Sequence, residues 1–240
     1  VIVTTQGYVL RRLAYQDTSL IVTLYTQSHG IKDFIVKGAR GGRGKSRQSF
    51  FQLLSHLEIV FYNKPTRELQ TLTDYSLASP TATLHTHPVK MVYVMLLAEV
   101  FYKSVREHEP NASLYAFLHN CVQRLEAQTG HLFEVAAWFL LHLTGHLGFL
   151  PQVDERSTAR GDWYFDIEEG TIERNAAAAD PAGPALFALA TTGLEGVAAV
   201  TIAPAVRKPL VGALLRYYRH HVEHFGELQS LAVFEEVFKG

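Results

Sequence analysis

Cysteine is almost absent from this chain: 240 residues include one, Cys121. An intramolecular disulfide is therefore impossible, and so is a structural zinc site built on several thiolates. That usage fits a reducing compartment. Long apolar runs are absent too. The longest, Met91 to Ala98, stops at Glu99, far short of the ~20 residues that span a bilayer as a helix. No basic segment leads into an apolar core at the start of the sequence, so no signal peptide is expected. The expected location is cytoplasmic, with no membrane partner. Acidic residues are missing in one place: none occurs from Phe34 to Leu57.

That window holds the stretch around which the chain is organised. Ile35 to Arg47 begins as a strand and becomes a loop with four glycines and the five cations Lys37, Arg40, Arg43, Lys45 and Arg47. Five like charges repel, so packing does not account for them. Glycine lets a backbone approach a ligand closely, and a basic, glycine-rich loop suits a polyanion such as nucleic acid. The bland alternative is a solvated loop. The formal net charge of −1 conceals an asymmetry. Residues 1–80 carry 10 Lys and Arg against 5 Asp and Glu, whereas residues 81–240 carry 12 against 18. Opposed halves point to two modules, the basic one facing nucleic acid. Apolar residues make up 48% of the chain, enough for a substantial core.

In chain order, residues 2–14 read as a strand with a break at Gly7. Thr18 to Thr26, Ile31 to Lys37, Leu57 to Tyr62 and Arg67 to Asp74 read as four more, separated by turn residues such as Asn63-Lys64-Pro65-Thr66. The segment from Phe50 onwards suits a strand better than a helix. Five short strands with turns at near-regular spacing predict a small closed barrel. A basic loop and interleaved aromatics (Tyr8, Tyr15, Tyr25, Phe34, Phe61, Tyr62) fit an OB-fold, in which a strand face and flanking loops bind single strands. For any one aromatic, barrel core is the competing assignment. After Ser79-Pro80 the period changes to helical. Helices are expected over 89–107, 114–127, 131–147, 184–192, 205–225 and 228–238, with a hairpin turning at Glu169-Gly170. Leu194 to Pro204 has no clear period.

Several motifs are weaker than they look. Ala39-x4-Gly44-Lys45-Ser46 fits a relaxed phosphate-binding loop, in which Lys45 would reach phosphates and Ser46 would hold Mg²⁺. Against it, the strands form a meander and no strand ending in an Mg²⁺-binding Asp follows. His142-x3-His146 puts two imidazoles on one helical face, but Leu143 stands where a metalloprotease needs Glu, so packing is favoured over metal. Cys121 on an apolar helical face is packing rather than a nucleophile. Arg207-Lys208 and Arg216/Arg219 read as a solvated helix face. No catalytic constellation stands out.

The order of these features resembles the bacterial RecO family of recombination mediator proteins. The resemblance rests on Gly7-Tyr8-Val9-Leu10-Arg11-Arg12, Tyr15 to Thr26, Gly30 and Val36-Lys37-Gly38-Ala39-Arg40. It continues through Leu72 to Ala78, Leu143 to Phe149, Leu214-Leu215-Arg216-Tyr217-Tyr218 and Leu228-Gln229-Ser230-Leu231. It covers nearly the whole chain. The resemblance implies a non-enzymatic, nucleoid-associated DNA repair protein without cofactor. Such a protein binds single- and double-stranded DNA and anneals complementary strands. With RecR it helps load RecA onto DNA coated by single-strand-binding protein (SSB). Two departures stand out. Many members carry a four-cysteine zinc site in the region matching Pro151 to Asn175, where this chain has no cysteine; a hairpin held by Trp163, Tyr164 and Phe165 is expected instead. Some members hold the acidic tail of SSB with basic residues near the third helix, where this chain reads Glu134-Val135-Ala136-Ala137-Trp138, leaving Arg124 as the candidate charge partner.

The expected fold is α+β. Residues 1–79 form a five-stranded OB-fold barrel and residues 80–240 a helical domain with a zinc-free polar hairpin insertion over 152–175. The expected DNA ligands are Lys37, Arg40, Arg43, Lys45 and Arg47, with Arg11, Arg12, Lys64 and Arg67 as further cations of the barrel; no metal site is expected. The rival readings are a nucleotide-binding protein using Ala39 to Ser46 and a protein-interaction adaptor that does not bind DNA.

Overall fold

The computed structural model describes residues 1–40, 45–106, 108–154, 162–175 and 180–237, with the side chains of Lys45 and Ser46 outside that description. By packing, the chain divides into two compact units, Val1–Glu126 and Ala127–Gly240. Among the described residues no helix is long and apolar enough to cross a membrane.

The first unit is built on a closed barrel of β1 (Ile2–Tyr15), β2 (Ser19–Thr26), β3 (Gly30–Val36), β4 (His56–Tyr62) and β5 (Leu69–Leu77), in spatial order β1-β2-β3-β5-β4. β1 serves two neighbours. Its first half pairs with β4 from Ile2↔Tyr62 to Tyr8↔His56, and its second half pairs with β2 from Gly7↔Thr26 to Tyr15↔Ser19. The strand is continuous through Gly7, contrary to the expected break. Gly7 sits where the two pairings overlap, and a Cβ there would lie 3.0 Å from the Tyr25 carbonyl oxygen. The irregularity falls at Leu10 instead, the extra residue between Val9↔Leu24 and Arg11↔Thr23. A bulge of this kind bends a strand and sharpens its twist, which closure of a small barrel requires.

Alternation sends Val9, Leu20, Val22, Leu24, Phe34, Val36, Leu57, Ile59, Phe61 and Leu72 inward to one core. A one-turn helix α1 (Lys45–Gln48) and a 3₁₀ turn (Ser49–Phe51) stand between β3 and β4. The strand-like pattern from Phe50 is therefore local: Phe51 is fully buried as part of the barrel core, and Leu54 adopts φ +57°. Helices α2 (Ala82–Thr86), α3 (Pro88–Ser104) and α4 (Ala112–Ala127) follow. Sequence reading missed α2. The Glu126 carboxylate accepts from the free N–H groups of Thr83 and Leu84 at 3.0 Å each, satisfying two orphan donors of that short helix.

The helices of this unit cover one patch of the barrel's outer surface. Tyr8, Tyr25 and His56 lie side by side in register there. Tyr25 meets Phe101 edge-on at 5.0 Å, and Tyr8 stacks on His56 at 4.4 Å. The polar atoms are paired. His56 Nδ1 and Nε2 bond Ser79 Oγ at 2.8 Å and Tyr115 Oη at 3.0 Å, and Tyr8 Oη bonds His119 Nδ1 at 2.8 Å.

In the second unit α5 (Leu132–His146) is apolar nearly all round and takes the centre. The short strand β6 (Gln152–Val153) and the hairpin β7 (Asp162–Asp166) and β8 (Thr171–Asn175) form a small sheet of order β6-β8-β7. The remaining helices are α6 (Gly183–Ala190), α7 (Pro204–His221) and α8 (Gln229–Val237), with a 3₁₀ segment, Leu194–Ala199, in the stretch without clear period. Trp163 stacks on Phe187 at 3.8 Å with Arg174 over its ring at 4.8 Å, and Phe165 meets Tyr217 edge-on at 5.0 Å. Tyr164 is half-buried. Rings thus fasten this hairpin to α6 and α7.

Two measurements test these contacts. Burial, assisted by nearby His119, pushes the His56 pKa down to about 4 from its ordinary 6.5. Between those values the unfolded chain binds the extra proton. His56 therefore contributes fully above pH 6.5, and on the order of 3 kcal/mol of stability is lost as pH falls towards 4. Urea titrations should show a shallower decline over that window for His56→Gln than for the native chain. The second test concerns Gly183, where an added Cβ would lie 1.8 Å from the Trp163 carbonyl oxygen, whereas one on Gly193 meets nothing within 4 Å. Gly183→Ala should cost ~2–3 kcal/mol in urea unfolding, and Gly193→Ala within ~0.5 kcal/mol.

Candidate nucleic-acid interface

Two groups of cations stand at opposite ends of one barrel face. The first gathers where the β1–β2 turn meets the exit of β3. The Arg40 backbone N–H donates to the Thr18 carbonyl at 2.8 Å, and its guanidinium donates to the Gln16 carbonyl at 3.2 Å. Ala39 is fully buried in the barrel core, so the root of the loop is anchored while Lys37 and Arg40 on either side are exposed. Gly38 holds φ +67°, a conformation that favours glycine. Arg47 returns to this place: its Nη1 lies 3.9 Å from the position a Cβ on Gly38 would occupy. Its charge also reaches Tyr75, whose hydroxyl pKa is raised by burial with Arg47 opposing. Lys37, Arg40 and Arg47 are thus brought together. Arg43 and the Lys45 side chain lie outside the described residues.

The second group is the β4–β5 turn. Lys64-Pro65-Thr66-Arg67 is a tight turn closed by the Arg67 N–H donating to the Lys64 carbonyl at 2.9 Å, with proline at the position where its fixed φ helps. The Cα atoms of Lys64 and Arg67 are therefore within about 7 Å. Gln70, only 2% exposed, locks this turn. Its amide accepts from the Lys64 N–H at 3.1 Å and donates to the Lys64 carbonyl at 2.9 Å and to the Arg67 carbonyl. Nothing in the sequence pattern singled out Gln70. Lys64 and Arg67 are exposed, and among the described residues neither side chain has an ionic partner. They border a cleft of about 330 Å³ whose wall is Tyr62 and whose floor is the outer side of β5 at Leu69, Thr71 and Thr73.

A strand-strand register links the two groups. β3 and β5 run parallel from Asp33↔Leu69 to Ile35↔Thr71, so the β4–β5 turn precedes this pairing and the exit of β3 towards Lys37 follows it. From Arg67 to Thr73 is ~20 Å at about 3.3 Å per residue. Asp33 shares this face, but its Oδ1 accepts from Thr23 Oγ1 at 2.5 Å. Arg11 is placed differently. Its guanidinium donates to Tyr102 Oη at 3.1 Å and lies 5.5 Å from that ring's centre. Arg12, the next residue of an extended strand, points to the opposite face, so the structure separates this pair.

The aromatics divide sharply. Phe34 and Phe61 fill the barrel and Tyr8 and Tyr25 are sealed under α3 and α4, all 0% exposed. Of the six aromatics read from the sequence, Tyr15, at 37%, and Tyr62, at 52%, offer a ring to solvent.

The other nominated groups are structural. His142 Nε2 bonds the Leu189 carbonyl at 3.1 Å and its ring stacks on Trp138 at 4.0 Å; burial lowers its pKa, keeping the imidazole neutral. Burial pushes the Cys121 thiol pKa well up, so it is no thiolate nucleophile. Among the described residues no group of three or more His, Cys, Asp or Glu side chains could hold a metal ion. The cations of α7 are mostly engaged: Arg207 with Glu134 at 3.9 Å, Lys208 with Glu235 at 3.4 Å, Arg219 with Glu227 at 3.2 Å. Arg124 is half-buried on α4. The strand before the glycine-rich loop pairs antiparallel with β2, and α1 has four residues. A nucleotide loop needs a βαβ setting and a full helix behind it, so this topology does not support one.

A closed five-stranded barrel in the order β1-β2-β3-β5-β4, with β3 and β5 parallel, defines an OB-fold protein. Residues 1–81 match the family model for the recombination protein O N terminal domain, and residues 85–232 match that for the C terminal domain. The chain is 29% identical over 235 residues to the DNA repair protein RecO of Christiangramia forsetii, covering 98% of each chain. It is 30% identical over 241 residues to that of Flavobacterium johnsoniae, again covering 98% of each. With that of Salinibacter ruber it shares 30% over 234 residues, covering 90% of this chain and 88% of the relative. The chain belongs to the RecO family.

The turn locked by Gln70 is directly testable. Gln70→Leu leaves the Lys64 N–H and the Arg67 carbonyl without this partner, while the Lys64 carbonyl keeps its bond from the Arg67 N–H, and should cost about 1–2 kcal/mol in urea unfolding.

Proposed function

We propose that this chain is a DNA repair and recombination mediator that binds single- and double-stranded DNA through the first unit and anneals complementary strands. The observation that carries this reading is the pairing of two cation groups ~20 Å apart along the β3–β5 face. That spacing suits a strand laid along the face, with phosphates held at both ends. Lys37, Arg40 and Arg47 act at one end, joined by Arg43 and Lys45 of the same loop; Lys64 and Arg67 act at the other. Arg11 contributes from the flank and Arg12 from the opposite face. Annealing follows from electrostatics: two strands held on one basic surface repel each other less, and no active site, metal or cofactor is needed. In the cell this protein works with RecR to help RecA load onto DNA coated by SSB, as its family membership supports. Arg124 is the candidate contact for the SSB tail. The protein acts in the cytoplasm at the nucleoid.

Anisotropy of a labelled single strand against salt tests the reading. Replacing Lys37, Arg40, Arg43, Lys45 and Arg47 by Ala should flatten the log–log salt slope by roughly 3 to 4, at about 0.7 per single-strand phosphate contact. An unchanged slope moves the DNA site elsewhere, and absence of binding by the native chain favours a protein-interaction adaptor.

A further inference from the structure

The cleft beside the β4–β5 turn differs in kind from the cationic loop at the other end of the face. It has a ring as its wall. Tyr62 is the last residue of β4, is 52% exposed, and lines the cleft with Lys64 and Arg67. Its volume, about 330 Å³, lies at the bottom of the range for small-molecule sites, so it admits one nucleotide-sized group rather than several. Its rim is preorganised. Pro65 fixes the turn, and the buried Gln70 amide bonds the backbone of both cationic residues.

We propose that this cleft is a subsite for one unpaired nucleobase, with Tyr62 as the stacking platform and Lys64 and Arg67 holding the flanking phosphates. The proposal rests on the DNA-binding reading above and adds selectivity to it. Both faces of a base inside a duplex are covered by its neighbours, so a paired base cannot stack on Tyr62. The cations at either end take phosphates from single or double strands alike. The ring is therefore the element that favours single strands, and it does so without reading sequence, because every base has a π-face.

The test compares native protein with Tyr62→Ala, Tyr62→Phe and the double variant Lys64→Ala/Arg67→Ala. The probes are a labelled oligothymidylate, a blunt duplex, and a single strand of the same length carrying abasic sugars. Tyr62→Ala should weaken oligothymidylate binding about 5- to 150-fold with an unchanged salt slope, since no phosphate contact is lost. Its affinities for the duplex and the abasic strand should match the native ones, which also shows that the variant is folded. Tyr62→Phe should bind as the native chain does. The double variant should flatten the single-strand salt slope by about 1.4. Undiminished oligothymidylate binding by Tyr62→Ala, or equal loss on all three probes, overturns the subsite while leaving DNA binding in place. If the native chain binds none of the probes, the broader reading fails and the subsite fails with it.

Discussion

The first unit depends on β1 belonging to two pairings at once. A strand that hydrogen-bonds β4 with one half and β2 with the other must turn its direction between them, and the extra residue Leu10 lets it do so. The consequences reach every candidate site. The bend closes the barrel, so no central edge is left unpaired. It leaves Tyr8 facing outward beside Tyr25 and His56, where the helices dock, and starts a new alternation at Arg11. It also carries the β1–β2 turn to the exit of β3, where Thr18 and Gln16 receive Arg40. Removing the bulge would shift β1 by one residue against β2 and reverse which of its side chains face the core.

The docked helices then decide which part of the barrel's outer surface remains available. An OB barrel of this size has few rings to offer a ligand, and here four of its aromatics are committed to packing. Tyr8 and Tyr25 are buried not by the barrel but by α3 and α4, through a contact in which each polar atom has a partner. Such a joint is costly to leave half-made, because an unpaired hydroxyl or imidazole loses solvation without compensation. It therefore holds α3 and α4 firmly to one side of the barrel. The β3–β5 face, the two turns and Tyr62 lie outside that patch.

Much of this was legible in the sequence, for physical reasons. Strand number and turn positions follow from alternation and from residues such as Pro65 and Gly30. The cationic loop follows from a window without carboxylates. The reading failed where tertiary contact overrides local pattern. Gly7 looks like a break but is required by the close approach of Tyr25. Phe50 and Phe51 look like strand residues but close the barrel from a helical turn. Arg11 and Arg12 are adjacent in sequence and read as one patch, yet a strand must separate them. Gln70 carries no signal at all, since a single glutamine in a strand pattern does not reveal that its amide will meet the ends of a turn six residues before it. Most nominated aromatics were core or interface, because a ring's role depends on which neighbour covers it.

The near-neutral net charge of −1 is best understood through where the cations are left unpaired. In α7 of the second unit, Arg207, Lys208 and Arg219 each face a carboxylate within 4 Å. The Lys208 and Arg219 pairs are exposed or partly so and add little stability, whereas Arg207 meets the buried Glu134; all three cancel the field that a row of cations would otherwise project. In the first unit Lys37, Lys64 and Arg67 have no such partner among the described residues. Long-range attraction of a polyanion depends on unneutralised charge at the surface, not on the total over the chain.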